Sequence, residues 1–205
     1  MKPFIIGISG SSGSGKTHVC QMIKKNINKP IITISMDNFY KGLNEDEKQN
    51  VESYNFDEPE ALDIQLFIDC IKKLKQGEKT EIPTYDFKTH TRTKEKILIE
   101  PSKIIIIEGI LIFCVEEVRK LFDIKVFIDA EISTIIFRRL ERDLMERGRD
   151  FYSVKTQYKN YVQPSYEKYI KPIKKTCDLV IPNEDDTDFI GIQTLCEIIN
   201  CKLKN

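Results

Sequence analysis

No apolar run in the 205-residue chain approaches the roughly 18 residues that a membrane-spanning helix needs. The N-terminal apolar stretch stops at Gly7 with no cleavage-site pattern behind it, so a soluble, cytoplasmic protein with no membrane partner is expected. Excess charge of either sign is also missing: Lys+Arg and Asp+Glu both number 32, and the formal net charge is zero. Bulk attraction to nucleic acid or to an anionic bilayer is therefore not expected, and any basic function must be local. There is no CxxC and no Cys/His cluster; Cys20, Cys70, Cys114, Cys177, Cys196 and Cys201 fall mostly within apolar segments. Thiols so placed behave as small core residues rather than as metal ligands. Internal repeats, low-complexity tracts and interdomain linkers are lacking too, so a single domain over residues 1–205 is expected.

What is present is alternation. Short β-branched runs cover Phe4 to Ile8, Ile31 to Ser35, Ile104 to Ile107, Lys125 to Ile128 and Asp178 to Ile181. Most are apolar throughout, as strands buried on both faces are. Between them lie helical patterns over Thr17 to Asn26, Glu60 to Leu74, Val115 to Leu121, Ile132 to Met145, Val154 to Lys174 and Phe189 to Lys202. Strands alternating with helices imply a three-layer α/β/α fold around a five-stranded parallel sheet. One region breaks the pattern: Glu81 to Phe87 and Lys94 to Glu100, joined by KTHTRT, predict a β-hairpin attached to the main sheet, a small lobe over residues 80–100.

Directly after the first strand comes Gly10-Ser11-Ser12-Gly13-Ser14-Gly15-Lys16-Thr17, which fits GxxxxGK[ST], the Walker A pattern. A flexible linker has no reason to sit between a buried strand and a helix. Small residues let the backbone curl so that successive N–H groups, backed by a helix N-terminus, point at phosphate oxygens. Lys16 is then placed to reach the β and γ phosphates of ATP, and the Thr17 hydroxyl to ligate Mg²⁺. A GTPase is not indicated, because no NKxD follows a later strand.

The remaining chemistry sits at strand ends and in one basic segment. The second strand ends in Met36-Asp37-Asn38-Phe39-Tyr40 and the third in Ile107-Glu108-Gly109. In an open parallel sheet the carboxyl ends of strands border the ligand crevice, so both carboxylates are expected beside the phosphate loop. Asp37 has the chemistry of a base or orienting group for an acceptor hydroxyl. Glu108 stands where a Walker B carboxylate contacts Mg²⁺ through water. The run RRLERDLMERGRD, Arg138 to Asp150, nearly balances its charges and could form a salt-bridged solvent face. Gly148 interrupts the helix there, and the fixed guanidinium forks read instead as a mobile, arginine-rich lid over residues 138–153 that offsets phosphoryl charge.

Together the Walker A loop, MDNFY, YNFDEPEALD, IPTYDFKTHTR, IIIIEGIL, RRLERDLMERGRD and Gln157 to Pro164 resemble the uridine/cytidine kinases, P-loop nucleoside kinases related to phosphoribulokinases. The resemblance implies transfer of the ATP γ-phosphoryl group to the 5′-hydroxyl of uridine or cytidine. It makes Asp37 the base and a Mg²⁺ neighbour, with Lys16, Arg142 and Arg147 as its catalytic partners. Tyr40 then lies near the sugar, Asp57 accepts from ribose hydroxyls, and Tyr85, Phe87 and His90 read the pyrimidine, with Arg139, Arg149 and Gln157 as further substrate contacts. It also implies a homo-oligomer, a tetramer by analogy. One departure stands out: where the family shows Pro-Arg-Gly after the last strand, this chain reads Pro182-Asn183-Glu184-Asp185-Asp186-Thr187, with Asp186 a candidate nucleotide contact. A phosphoribosyltransferase domain fused to some relatives is not expected here. The competing readings are a phosphoribulokinase-like sugar-phosphate kinase and a P-loop ATPase or nucleic-acid-binding regulator that presents Lys88, His90, Arg92, Lys94 and Lys96.

Overall fold

Ile5, Ile6 and Ile8 are wholly removed from solvent, as the central strand of a doubly covered sheet requires. The computed structural model describes residues 2–184 and 190–204. Its strands are β1 (Phe4–Gly10), β2 (Ile32–Ser35), β3 (Thr80–Asp86), β4 (Thr91–Ile99), β5 (Ile104–Glu108), β6 (Ile124–Asp129) and β7 (Leu179–Pro182). The helices are α1 (Lys16–Asn26), α2 (Glu45–Gln49), α3 (Ile64–Lys75), α4 (Glu116–Arg119), α5 (Ile132–Met145), α6 (Phe151–Gln157), α7 (Gln163–Ser165) and α8 (Ile190–Lys204).

Five strands pair in parallel in the order β2-β5-β1-β6-β7, as the alternating pattern predicts. Apolar clusters fill both faces. Val19 and Ile23 of α1 and Leu195 and Ile199 of α8 pack with Ile6, Ile8, Ile106 and Ile128 on one side. Phe67, Ile71 and Leu74 of α3 pack with Ile5, Ile105 and Ile107, Phe113 and Phe127 on the other. Burial of such side chains, about 1.5–3 kcal/mol each, is what holds the layers together. Cys20, Cys70 and Cys196 are buried within these clusters.

The expected hairpin forms, with two differences. It is a separate two-stranded sheet rather than an extension of the main one, and it is tied down by the Asn38 amide donating to the Pro83 carbonyl at 2.9 Å. Proline has no N–H for a ladder, and the register shifts between Pro83 and Tyr85. The second strand also starts earlier than expected, at Thr91, because the β-branched Thr91 and Thr93 suit a strand. The turn is thereby confined to residues 87–90.

The helix expected over Val154 to Lys174 begins at Phe151 and is not uniform. Beyond α6 it widens into π turns at Tyr158–Val162 and Tyr166–Ile170, on either side of α7, and ends in a 3-10 turn at Lys171–Thr176. Pro164 lies inside this stretch; it lacks the N–H and its ring crowds the carbonyl of residue i−4. Wider turns accommodate that crowding. Among the described residues no helix is long and apolar enough to cross a membrane.

Candidate active site

Register brings the two strand-end carboxylates together. Ser35 of β2 pairs with Glu108 of β5, and Glu108 pairs with Ile8 of β1, two residues before the phosphate loop. After Ser35 the chain turns into a 3-10 segment, Met36–Phe39, with the Asp37 amide donating to the Ser35 hydroxyl at 3.3 Å. That turn aims Asp37 at the loop end of β1.

The loop itself fits a bound phosphate chain. Gly15 caps α1 in the left-handed region, and no side chain caps the first turn, which leaves its amides facing the place an anion would occupy. At Gly13 (φ +94°) a Cβ would lie 2.7 Å from the Ile135 carbonyl, so only glycine suits both the conformation and the space. Lys16 is buried, and its ammonium donates to the Ser11 carbonyl at 2.9 Å. Burial lowers the Lys16 pKa while Glu108 and Asp37 push it back up. The Ser14 hydroxyl is buried with no hydrogen-bond partner, a polar atom waiting for a ligand. Thr17 faces solvent beside the loop.

One cleft gathers most of the residues singled out from sequence. Ser12, Lys16, Thr17, Asp37, Tyr40, Asp57, Phe87, His90 and Glu108 line it together with Arg139, Arg142, Arg147, Arg149 and Gln157. Burial raises the pKa of Asp37, with the Asp57 charge adding to it and Lys16, Arg147 and Arg142 opposing. Glu108 is raised for the same reason, and by Asp37; Lys16 and a Ser35 hydrogen bond counteract. Two close carboxylates poised against a lysine are the donor set a divalent cation completes with phosphate oxygens and water. Among the described residues no group of three or more His, Cys, Asp or Glu is arranged to hold a metal ion.

At the opposite end of the cleft the lining turns aromatic. Phe56 stacks on His90 with centroids 5.0 Å apart and planes at 27°. His90 is held in the left-handed region (φ +52°), and its Nδ1 is buried without a partner. Burial, with Arg149 and Arg147, lowers the His90 pKa. The Tyr40 hydroxyl donates to the Phe56 carbonyl at 3.0 Å, so it fixes the loop bearing Asp57. That loop is turned by Asn55, whose carbonyl oxygen accepts from the Asp57 amide at 3.0 Å.

Some expectations are modified. Tyr85 is not among the residues lining the cleft: it stands one layer back, its ring 5.3 Å from both Tyr40 and Phe87. Its hydroxyl is buried, and that burial raises its pKa. Gln157 accepts from Arg149 at 2.6 Å and so braces that guanidinium as well as lining the cleft. The residues from Arg138 to Met145 are the second half of α5, as the helical pattern over Ile132 to Met145 predicts; the chain reverses at Gly148 (φ +65°). Asp186 lies outside the described residues.

Four participants were not read from the sequence. Phe56 and Ile110 line the cleft; each adjoins a quoted motif residue, which is the signal that could have found them. Asp143 is fully buried among the arginines. Asn183 donates to the Ser14 carbonyl at 2.7 Å, while Arg138, beside Gly15 and Thr17 in an adjoining pocket, donates to the carbonyls of Asn183 at 2.8 Å and Glu184 at 2.6 Å. The segment that departs from the family pattern therefore clamps the phosphate loop.

The model of the "Phosphoribulokinase / Uridine kinase family" matches residues 5–189. The chain is 42% identical over 202 residues to Uridine-cytidine kinase B of Dictyostelium discoideum, covering 98% of this chain and 83% of that one. It is 40% identical over 204 residues to the Arabidopsis thaliana Uridine/cytidine kinase UKL1, chloroplastic, covering 98% of this chain but only 42% of that relative's length. Phosphoribulokinase from Rhodobacter spheroides shares the fold, with a TM-score of 0.68 at 18% identity over 88% of this chain and 70% of that one.

Proposed function

Because the chain belongs to the phosphoribulokinase / uridine kinase family, we propose that it transfers the γ-phosphoryl group of ATP to the 5′-hydroxyl of uridine or cytidine. The observation that carries this reading is the single cleft that joins Lys16, Asp37 and the arginines at one end to Asp57, Phe87 and His90 at the other. The curated relatives bear the names of uridine/cytidine kinases, which supports the same acceptors. An acceptor with a planar base suits an aromatic end; a sugar phosphate has nothing to stack there.

The roles follow from the chemistry of each group. The open amides of α1 and the Lys16 ammonium hold the phosphate chain of the donor. Thr17, Asp37 and Glu108 would hold Mg²⁺, which when bound neutralises charge on the donor phosphates. Asp37, its carboxylate made more basic by burial, accepts the proton of the 5′-hydroxyl. Asp57 accepts from two vicinal ribose hydroxyls, which a single carboxylate can do. Phe87 and Phe56 flank the pyrimidine ring, and His90 Nδ1, otherwise unpartnered, bonds its edge. Arg142 and Arg147 draw charge from the transferring group, while Arg139 and Arg149 complete the wall around it. Much of the acceleration is then positioning.

The test is ADP release from Mg²⁺-ATP with uridine, cytidine, 2′-deoxyuridine, adenosine, ribulose 5-phosphate or no acceptor, at equal concentration. Turnover confined largely to uridine and cytidine is expected. Turnover without acceptor, or with the sugar phosphate alone, overturns the reading.

A further inference from the structure

Four guanidinium groups converge on one carboxylate in the wall of the cleft. The Asp143 side chain is 0% exposed. Its Oδ1 accepts from Arg142 Nε at 3.0 Å and Nη2 at 2.8 Å, with Arg147 Nη1 3.4 Å away. Around Oδ2 stand Arg149 Nη1 at 3.6 Å and Arg139 Nε at 3.7 Å, both beyond hydrogen-bond length. Oδ2 and Arg139 Nε are accordingly buried without a hydrogen-bond partner.

This arrangement is uneven in charge. Four buried or half-buried cations surround Asp143, and the carboxylates next within their reach, Asp37 near Arg147 and Asp57 near Arg149, still leave them in excess; unlike a surface pair they are little relaxed by solvent. The excess positive charge invites a polyanion, and the same four arginines line the cleft that holds the phosphate loop. Arg142 Nη2 also donates to Ser12 of that loop at 3.3 Å. The chain reversal at Gly148 serves the same end: the Arg149 amide donates to the Asp143 carbonyl at 3.1 Å, so Asp143 anchors the turn through its backbone and the arginines through its side chain. Burial opposes the ionised form of Asp143, but the Arg142, Arg139 and Arg147 charges outweigh it and its pKa is lowered.

We propose that Asp143 is a positioning residue for phosphoryl transfer, gripping Arg142 and holding Arg139, Arg147 and Arg149 in range so that the guanidinium array is assembled before the donor arrives. It touches no substrate; it acts through the arginines. The long contact at Oδ2 lets Arg139 Nε, which has no hydrogen-bond partner, turn to a phosphate oxygen without first losing a strong bond, while Arg149 stays braced by Gln157 at 2.6 Å. The inference rests on the kinase reading above.

A sign distinguishes positioning from general support of the fold. Asp143→Asn keeps the shape and removes one negative charge from beside the donor site. Ground-state attraction for ATP is then undiminished or increased, while the array loses its geometry in the transition state. The expected result is a kcat about 100-fold lower with KM for Mg²⁺-ATP unchanged or reduced and KM for uridine within about threefold. In a double-mutant cycle with Arg147→Ala, the two losses should be strongly non-additive. Should Asp143→Asn fail to fold, Arg142→Lys, which keeps the charge and loses the two-pronged bond, is expected to show the same split. Raised KM for both substrates, additive losses, or wild-type-like kcat in a folded variant would overturn the proposal. Wild-type enzyme that ignores uridine would instead overturn the kinase reading, and ATP affinity by calorimetry would still test Asp143: weaker binding in Asp143→Asn contradicts it.

Discussion

The guanidinium of Arg147 lies 4.6 Å from the centroid of the Phe87 ring. This contact ties the arginine segment, proposed above to meet the donor phosphates, to the hairpin, proposed to hold the acceptor. Phe87 in turn packs edge-on against Tyr85 at 5.3 Å and Tyr40 at 6.3 Å, so the platform under Arg147 is continuous with the aromatic end of the cleft.

Phe87→Leu removes both the platform and one face of the acceptor stack. A cation–π contact and a base stack of this kind are worth about 1–2 kcal/mol each, so KM for uridine should rise about tenfold and kcat should fall as well. Steady-state kinetics on the purified variant check this. An unchanged KM would remove Phe87 from the acceptor site.

The lowered pKa of His90 sets a pH window. Burial first, then Arg149 and Arg147, disfavour the charged ring, against a pull from Asp86. The neutral form therefore persists below the ordinary value of 6.5. KM for uridine should stay flat from pH 8 down to that value and rise only under more acidic conditions, as His90 Nδ1 becomes protonated and can no longer accept. A rise that begins above pH 7 contradicts the assignment; His90→Ala should abolish whatever rise is seen.

Asp57 predicts discrimination at the ribose. Hydrogen bonds to a charged group contribute about 1.5–3 kcal/mol, so uridine should be favoured over 2′-deoxyuridine in kcat/KM by about 10- to 100-fold. In Asp57→Ala the ratio should collapse toward one. Retained discrimination would assign the ribose hydroxyls to another group.

Asn183→Ala leaves the Ser14 carbonyl without its 2.7 Å donor in a buried setting. A loss of about 1–3 kcal/mol is expected, lowering Tm by about 2 to 10 °C for a chain of this size. KM for ATP should rise several-fold as the phosphate loop loosens, with KM for uridine little changed. Thermal unfolding followed by circular dichroism, together with ATP kinetics, tests both; an unchanged Tm would mean the clamp is not holding the loop.

The parts of the molecule that were legible in the sequence are those governed by local pattern. Ile104–Ile107, short, β-branched and apolar throughout, reads as a strand buried on both sides and is one, and GxxxxGK[ST] after β1 carries its own backbone geometry. Asp37 and Glu108 were readable because strand ends in a parallel sheet share one edge. Asp143 was not, for a physical reason. In RRLERDLMERGRD each arginine has a carboxylate within one helical turn, and nothing local decides which carboxylate turns inward. The packing of α5 beside the phosphate loop, with Gly13 against the Ile135 carbonyl, makes that choice. Asn183 was hidden similarly: its partner lies 169 residues away in the chain. Tyr85 shares the hairpin with Phe87 and His90, but the register shifts between Pro83 and Tyr85 and its ring packs against Tyr40 and Phe87, a placement that residue spacing alone does not carry.

The most direct measurement is the fate of the phosphoryl group. Incubation with [γ-³²P]ATP, Mg²⁺ and uridine, followed by separation of products, should place the label in uridine 5′-monophosphate. With 5′-deoxyuridine no labelled nucleotide should form, and Asp37→Asn should slow the reaction by about 10²- to 10⁴-fold while uridine binding stays within a few-fold. Label released chiefly as inorganic phosphate, or carried to a 2′ or 3′ oxygen, would contradict the account.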